Sequence, residues 1–435
     1  MVEAIKVGIV GLGTVGSGTV NLLRRNADEI ARRVGRPIEI SHVGARRDNP
    51  NCDLTGVKVS RDIFEVAEDP DIDILVELIG GTTVARGLVL KAISRGKHIV
   101  TANKALIAEH GNEIFQAAHR NGVDVAFEAS VAGGIPILKA LGEGLAANHI
   151  NWIAGIINGT GNFILTEMRD KGRAFEDVLQ EAQELGYAEA DPTFDVEGID
   201  AAHKLTILAS IAFGIPLQFS KVFTEGISKL TTEDVEAAEQ FGYRIKHLGI
   251  AKDTGDGIEL RVHPTLIPES VLLASVHGVM NAIMVDGDAV GPTLYYGAGA
   301  GAEPTASAVV ADIIELGRAL TADHEERVPY LGFHANYMSS APVLPMDEVV
   351  CPFYLRMHVQ DKPGVLADIT RILSDHKISI EAMVQKDVEE GEPVPIIMMT
   401  HRVLEKEMFA ALDKVAALDA VMDEIIRIRV ELLDA

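Results

Sequence analysis

A carboxylate and an amine stand four residues apart in a stretch that otherwise has the composition of a protein core. Asp200 and Lys204 lie in the segment GIDAAHKLTILASIAFGI, and this spacing puts both side chains on one face of a helix. Leu208 and Ile211 continue that face, so the sequence predicts that the lysine is partly buried. A lysine amine that is partly removed from water loses its proton more readily, which suits a proton donor to a developing alkoxide.

Further acidic side chains precede this pair and are separated by two helix breakers, Pro192 and Gly198. These acids are Glu189, Asp191, Asp195 and Glu197. Carboxylates beside one lysine suit a substrate that carries both a reducible carbonyl and an α-amino group, because the carboxylates give the ammonium a place to bind. The alternative is an acid-rich helix start with an ordinary Asp–Lys pair, worth a few tenths of a kcal/mol, roughly.

The N-terminal segment VGIVGLGTVGSG contains the glycine pattern of a dinucleotide-binding turn. Its candidate cofactor-binding residues are Gly11, Gly13, Thr14, Val15 and Gly16. A strand precedes this pattern and a helix, predicted over Val15–Val34, follows it, so the helix N-terminus would face a pyrophosphate. The alternative is a glycine-rich turn with no ligand.

The end of the second predicted strand, IEISHVGARR, indicates which nucleotide the turn prefers. An acidic residue there would hold a ribose 2′-hydroxyl, whereas this chain has Ala45, Arg46 and Arg47. Two guanidinium groups favour a 2′-phosphate, so the sequence predicts NADP(H), with NAD(H) possible as a second cofactor.

The order of predicted elements gives an α/β fold with three parts. Strands alternating with helices predict an NADP-binding Rossmann-type domain with a parallel sheet over residues 1–134, onto which a helix at 303–320 packs back. Residues 135–335 form a predicted α+β domain, to which a family resemblance assigns catalysis and dimerisation. A linker at 336–350 then leads to residues 351–435, whose β-α-β-β-α-β order is that of a ferredoxin-like domain.

Composition excludes several classes of partner. The chain has 435 residues, 47% of them apolar, and a formal net charge of −25, which argues against a nucleic-acid or anionic-membrane surface. Its two cysteines, Cys52 and Cys351, form no metal-binding pattern and suit a reducing compartment. We see no signal peptide and no apolar run long enough to span a membrane, so we expect a soluble, cytoplasmic protein.

Several motifs resemble those of one enzyme family. The run Ala182-x3-Gly186-Tyr-Ala-x2-Asp191-Pro192-x2-Asp195-Val-x-Gly198-x-Asp200-x3-Lys204 resembles the signature of homoserine dehydrogenases. Similar blocks are TANKAL (101–106), EASVAGGIPI (128–137), GIINGTGNFIL (155–165) and YGAGAGAEPTASAVVAD (296–312). The resemblance extends to about residue 335. One departure is that the family usually reads GTTNYI where this chain has Gly161 and Phe163, which affects local contacts only.

The resemblance implies a reversible, NADPH-dependent reduction of L-aspartate 4-semialdehyde to L-homoserine, a step of threonine and methionine biosynthesis. Lys204 would give the proton to the carbonyl, and Lys104 would contact substrate and nicotinamide and assist proton transfer. The implied substrate-binding residues are Glu189, Asp195 and Asp200, and the further cofactor-lining residues are Gly186 and Gly301.

The block EASVAGGI is similar to a monovalent-cation loop of the same family. The resemblance implies Na⁺ as the ion, held by Glu128 and by the backbone carbonyls of Val131, Gly133 and Ile135. Oxygen-only ligation is what a hard cation prefers. Glu128 also follows a strand at the edge of the sheet where ligands gather.

The segment MHVQDKPGVLADITRILSDHKISIEAMVQK resembles an ACT domain, a small amino-acid-sensing module. Asp361, Gly364 and Val365 form the turn that starts its first helix, where free backbone N–H groups could bind an amino acid's carboxylate. The resemblance implies threonine as the effector and a homo-dimer or homo-tetramer. The alternative is an ordinary capped helix in a dimerising domain.

Two other functions remain open from the residues alone. A different amino-acid or aldehyde dehydrogenase could use the same scaffold, and a panel of short aldehydes with NADPH would separate it from the first interpretation. A non-catalytic amino-acid sensor could retain nucleotide binding only as a remnant. The intact blocks around Lys104 and Lys204 argue against that sensor, and absence of any NADPH oxidation would favour it.

Overall fold

The computed structural model describes residues 3–320, 339–385 and 393–433. Its strands are β1 Ile5–Val10, β2 Ile38–Gly44, β3 Lys58–Ser60, β4 Ile74–Glu77, β5 His98–Thr101, β6 Val125–Ala126, β7 Ile150–Ile156, β8 Phe223–Thr224, β9 Tyr243–Asp253, β10 Ile258–Pro268, β11 Met280–Gly287, β12 Gly291–Ala298, β13 Val350–Cys351, β14 Phe353–Val359, β15 Ile380–Gln385, β16 Val394–Thr400, β17 Val403–Leu404 and β18 Ile426–Val430. Its α-helices are α1 Thr14–Arg25, α2 Ala27–Val34, α3 Phe64–Glu68, α4 Thr83–Ser94, α5 Lys104–Asn121, α6 Ile137–Lys139, α7 Gly159–Lys171, α8 Phe175–Glu184, α9 Thr193–Val196, α10 Ile199–Phe213, α11 Thr232–Gln240, α12 Ala302–Ala319, α13 Val365–Asp375 and α14 Glu405–Ala416.

The chain divides into two compact units, each built from three segments. The first unit consists of residues 1–153, 200–222 and 279–341, and the second of residues 154–199, 223–278 and 342–435. The domain boundary predicted between residues 335 and 336 lies outside the described residues, as does part of the predicted linker.

The first unit contains a six-stranded parallel sheet in the order β3-β2-β1-β4-β5-β6. This order is that of a Rossmann sheet, with the reversal of strand order beside β1. Ile5, Val7 and Ile9 of β1 are fully buried, as expected for a central parallel strand that is covered on both faces. The predicted Rossmann-type fold is confirmed.

Helices α1, α2 and α12 pack in one hydrophobic cluster with strand β1 of this sheet. Ala306, Val309 and Ile313 of α12 are fully buried in the same core cluster as the residues of β1. The helix predicted over Val15–Val34 is wrong in one respect, because it is two helices. Helix α1 ends at Arg25, where the Asn26 N–H bonds the carbonyl of Leu22, and α2 begins at Ala27.

The second unit contains a mixed sheet that includes the C-terminal module. Strands β18, β14, β16 and β15 are neighbours in that order, and with helices α13 and α14 they give the predicted ferredoxin-like β-α-β-β-α-β arrangement. Strand β18 also pairs in parallel with β10, with Thr265 opposite Arg429. The C-terminal module therefore shares main-chain hydrogen bonding with the strands that precede it in this unit.

Three buried arginines reinforce this junction within the second unit. Arg356 donates to Asp234 at 2.7 Å, and both side chains are buried. Arg261 donates to Glu431 at 2.6 Å. Arg429 is 1% exposed and binds both Glu405 and Glu225. Removing one partner of a buried ion pair leaves the other charge uncompensated and costs about 3–5 kcal/mol.

Two further observations concern the described part of the chain. None of its helices is both long and apolar enough to cross a membrane. Cys52 and Cys351 are both free thiols, in agreement with the prediction of no disulfide framework.

The stability of the second unit should depend on acid through a buried histidine. His247 of β9 is 6% exposed, and its Nε2 lies 3.0 Å from the carbonyl oxygen of Glu225. Burial lowers the pKa of His247 from 6.5 to about 4. Between these values the unfolded chain binds a proton that the folded chain does not, so the free energy of unfolding falls as the pH drops from 6.5 towards 4.

We expect His247 to contribute about 3 kcal/mol to this loss, at about 1.4 kcal/mol for each pKa unit. Urea unfolding at several pH values measures the slope in the wild type and in H247Q. The variant should be less stable at pH 7 and should show a smaller slope. An equal slope in both proteins would contradict the assignment of the acid dependence to His247.

Candidate active site

One buried carboxylate binds two lysines in the first unit. The Lys204 Nζ donates to Oδ2 of Asp200 at 2.7 Å, and the Lys104 Nζ lies 3.2 Å from Oδ1 of the same side chain. The side chains of Asp200, Lys204 and Lys104 are 7%, 12% and 32% exposed, so Lys204 is the more deeply placed amine. The predicted Asp–Lys pair and the partial burial of Lys204 are confirmed, and Leu208 and Ile211 of the same helix are buried.

The amine of Lys104 is positioned by the edge of the parallel sheet. Lys104 is the first residue of α5, directly after β5, and Asn103 caps the helix by accepting a hydrogen bond from the Leu106 N–H. The Asn103 side chain also donates to the carbonyl of Gly81 at 2.7 Å. These bonds fix the start of α5 at the carboxyl ends of the strands, which is where ligands bind in open α/β sheets.

A second buried carboxylate at this edge was not identified from the sequence. Glu77 ends β4, is fully buried and accepts from the Thr101 hydroxyl at 2.6 Å and from the Ile79 N–H at 2.9 Å. Burial raises the pKa of Glu77. Its signal in the sequence is a single acid inside the apolar run ILVELIG, and its contacts tie the loops after β4 and β5 together.

His203, the neighbour of Lys204, has a packing role. Its ring stacks on Phe219 with ring centres 4.0 Å apart, and its Nε2 lies 3.2 Å from Glu109. The side chain is 3% exposed, so it supports the position of α10 from the face that Lys204 does not occupy.

The glycine turn has the geometry that a pyrophosphate needs. Gly11 has φ +101°, and a Cβ on Gly16 would lie 2.0 Å from the carbonyl oxygen of Gly11, so neither position accepts a larger residue without movement. A Cβ on Gly13 would meet nothing within 4 Å, and that open space is a cradle which a side chain would fill. Thr14 and Val15 begin α1, whose N-terminus opens beside Gly13.

Three arginines, not two, surround the end of β2. Arg46 and Arg47 are exposed directly after the buried Ala45. Arg61 donates to the carbonyl of Ala45 at 3.0 Å and to Asp48 at 2.7 Å. Sequence reasoning missed Arg61 because it follows a different strand, and Asp48 is a nearby carboxylate that this arginine neutralises.

Glu128 lies in a buried acidic region of the first unit. Its two carboxylate oxygens accept from the Leu138 and Lys139 N–H groups, each at 2.9 Å, and burial raises its pKa. Its own N–H donates to Asp312 at 2.9 Å. The Lys139 amine contacts Asp312 at 3.2 Å and Glu315 at 2.7 Å. Three carboxylates therefore lie near a single ammonium group.

The predicted carbonyl ligands follow Glu128 in a tight turn. Val131 and Ile135 are buried, and between them Ala132 and Gly133 have φ values of 53° and 45°. A Cβ on Gly133 would lie 2.7 Å from the Gly299 carbonyl oxygen, so this position requires glycine. Among the described residues no group of three or more His, Cys, Asp or Glu side chains could hold a metal ion. A site here would therefore depend on backbone carbonyls.

The remaining predicted residues lie in the second unit, except Gly301, which lies in the first. Asp195 accepts from the side chain of Asn158 at 2.8 Å, while Asn158 caps α7 through the Gly161 N–H at 2.7 Å. Glu189 is exposed, and Gly186, with φ +74°, follows the end of α8. Gly301, with φ +126°, caps α12. The structure thus brings together Asp200, Lys104 and Lys204 within one unit.

The predicted effector turn lies at the start of α13. Asp361 and Gly364 are exposed, Val365 is partly buried, and Gly364 has φ +99° as the residue before the helix. The turn is therefore exposed at the helix N-terminus, and effector binding there stays a prediction.

Family models match most of the chain. The model "Homoserine dehydrogenase, NAD binding domain" matches residues 11–128, "Homoserine dehydrogenase" matches residues 136–314, and "ACT domain" matches residues 353–420. The matched ranges contain the glycine turn, the Asp200 site and the effector turn, respectively.

Individual relatives are similar over the whole length. A homoserine dehydrogenase of Pseudomonas aeruginosa is 63% identical over 433 residues, which cover 99% of this chain and 100% of that protein. The crystal structure of a homoserine dehydrogenase from Thiobacillus denitrificans is 61% identical, with a TM-score of 0.95 and 99% of each chain covered. A hyperthermophilic archaeal homoserine dehydrogenase in complex with NADPH is 26% identical, with a TM-score of 0.62, and the match covers 72% of this chain and 98% of that one.

Proposed function

This chain belongs to the homoserine dehydrogenase family, NAD(P)-dependent oxidoreductases that act on a CH–OH group, and from that premise we propose which residues carry the reaction. Lys204 transfers the proton, Asp200 holds Lys204 in place, and Lys104 assists. The observation that carries this proposal is the single carboxylate of Asp200 between the two amines, at 2.7 Å from Lys204 and 3.2 Å from Lys104.

In the reduction, the substrate is L-aspartate 4-semialdehyde and the product is L-homoserine. The nicotinamide supplies the hydride when it is bound. The Lys204 Nζ donates a proton to the aldehyde oxygen as negative charge develops there, and in the reverse direction it accepts the proton of the homoserine hydroxyl. The Lys104 ammonium adds a second positive charge that stabilises the developing alkoxide. Asp200 keeps both amines from turning towards water.

The α-amino acid end of the substrate would bind to acidic side chains. We assign this role to Glu189 and Asp195, together with Asp200. The exposure of Glu189 supports its access to a ligand, and the hydrogen bond from Asn158 supports a fixed position for Asp195. No covalent intermediate with the protein is needed.

The preferred cofactor is NADP(H), with NAD(H) as a second cofactor. The open space at Gly13 and the N-terminus of α1 suit the pyrophosphate, and Gly186 and Gly301 would line the cofactor. The exposed guanidinium groups of Arg46 and Arg47 suit a 2′-phosphate. The archaeal relative solved with NADPH supports the same preference.

A monovalent cation, Na⁺, would bind to the loop after Glu128. The donors would be the Glu128 carboxylate and the carbonyls of Val131, Gly133 and Ile135. The three carboxylates opposed by one ammonium in this region support the proposal, since a bound cation would offset the excess negative charge. The ion would order the turn and take no part in the chemistry.

The ACT module would regulate the enzyme as an amino-acid sensor. Threonine would bind at the turn of Asp361, Gly364 and Val365 and inhibit the enzyme, which would serve threonine and methionine biosynthesis. A homo-dimer or homo-tetramer is the expected assembly. Supporting features are β15 at the end of the strand order, with alternate side chains exposed, and Tyr296 of β12, which is 58% exposed.

Replacing Lys204 by methionine tests the proton-transfer role, because methionine is an unbranched side chain of similar size that has no ionisable amine. We expect K204M to lower kcat by about 10³-fold, within the range for a lost general acid, and to bind NADPH normally. Initial rates with homoserine and NADP, together with a fluorescence titration of NADPH, measure the two effects. The control K221M, at an exposed lysine, should keep its kcat, and near-normal turnover of K204M would reject the assignment.

Replacing both Arg46 and Arg47 by alanine tests the cofactor preference. The double variant should raise KM for NADPH about tenfold and leave KM for NADH nearly unchanged, because only NADPH carries the 2′-phosphate. Initial rates with each cofactor give both values. The matched control replaces Arg32 and Arg33, another adjacent pair of exposed arginines, and should change neither. An unchanged KM for NADPH in the first variant would argue for another phosphate ligand.

A further inference from the structure

A pocket of about 420 Å³ lies in the second unit, where the C-terminal module meets the strands before it. Its volume is within the ~300–1,000 Å³ range of small-ligand sites. Its lining consists of residues 424–427, which include the start of β18, of residues 224–226 and 228–230, and of Glu197, Ile199 and Pro264. None of the residues assigned above to substrate, cofactor, cation or effector lines it.

Arg427 lines the pocket, and one of its guanidinium nitrogens makes no hydrogen bond in the described part of the chain. The Arg427 guanidinium lies over the ring of Phe409 at 3.8 Å, and its Nε is buried with no hydrogen-bond partner in the described part of the chain. Glu405 is 4.0 Å from that nitrogen, but both oxygens of Glu405 already accept from Arg429, at 3.0 and 2.5 Å. Burial lowers the pKa of Arg427, and the nearby carboxylates of Glu225, Glu405 and Glu424 oppose that shift.

Two more carboxylates and several apolar side chains line the pocket, together with an ion pair between Lys229 and Glu424 at 2.7 Å. Glu197 accepts a hydrogen bond from the Ser228 hydroxyl at 2.8 Å, and Glu225 is bound to Arg429 at 2.6 Å. Both acids line the same pocket as Arg427. Ile199, Leu230 and Ile426 contribute apolar surface between the charged groups.

We propose that this pocket binds a free α-amino acid with a short aliphatic side chain. Arg427 would bind the carboxylate, Glu197 and Glu225 would bind the ammonium, and the apolar residues would contact the side chain. Guanidinium–carboxylate pairing is charge-assisted and directional. A ligand with only one charge would leave either Arg427 or the two glutamates without a partner of opposite charge.

The position of the pocket gives it two connections along the chain. Ile199 begins α10, and the next residue is Asp200, the carboxylate that holds both lysines. On the other side, Glu225 binds Arg429, which binds Glu405 at the start of α14 in the C-terminal module. A ligand that draws on Glu225 would compete with Arg429 and so change the junction between the module and the strand β10.

This site is separate from the turn of Asp361 and Gly364, and it does not depend on that turn being an effector site. Calorimetric titration of the full-length protein with L-threonine, L-valine and L-isoleucine tests it directly, since binding is measured without turnover. N-acetyl-L-threonine and L-threonine methyl ester serve as probes that lack one of the two charges.

We expect at least one free amino acid to bind and both modified forms of threonine to fail. R427Q and E197Q should each weaken the binding about tenfold or more, and R427K should recover part of the affinity lost in R427Q. The control R402Q, at an exposed arginine of the same module, should bind as the wild type does. If R427Q does not fold, E197Q decides the question. This variant replaces only one carboxylate oxygen by an amide nitrogen.

Two results would overturn the proposal. One is the absence of binding by all three free amino acids at millimolar concentration. The other is binding that E197Q and R427Q leave unchanged, whether D361N abolishes it or not. Loss in D361N alone would support the effector turn and reject the pocket, so the two proposals fail separately.

Discussion

The proposed active site depends on one carboxylate that is shared by two amines. Asp200 is 7% exposed at its side chain and lies between Lys204 and Lys104, so each lysine is held by a charge that it cannot leave without cost. One amine comes from a helix in the middle of the chain and the other from the carboxyl edge of the parallel sheet. A single buried carboxylate therefore holds both amines, to which we assign proton transfer and charge stabilisation in the proposed reaction.

The surrounding structure supplies the rigidity that this arrangement needs. The cap at Asn103 and the buried Glu77 fix the loops at the sheet edge, and the stacking of His203 on Phe219 fixes α10 from its other face. In the second unit the same device recurs at the C-terminal module, where Arg429 joins Glu405 to Glu225. Buried ionic contacts of this kind define geometry more than they add stability.

The sequence predicted what is local and periodic, and it missed what depends on distant contacts. The burial of Lys204 followed from helical spacing against Leu208 and Ile211, and the glycine turn followed from steric demands that a motif records. The short strand β3 and the longer β7 and β9 were not predicted, although β9 pairs with β10, the next strand along the chain. Glu77 and Arg61 were missed because their roles come from Thr101 and Ala45, which are 24 and 16 residues away. Pairing of β18 with β10 could not be seen in either segment alone.

A crystal structure of the protein with homoserine and oxidised NADP bound tests whether Lys204 is the proton-transfer residue. We expect the Lys204 Nζ to lie about 2.6–3.2 Å from the homoserine hydroxyl oxygen, with the Asp200 carboxylate still bound to that amine. A structure in which the amine of Lys204 faces water, and another group contacts the hydroxyl, would contradict it.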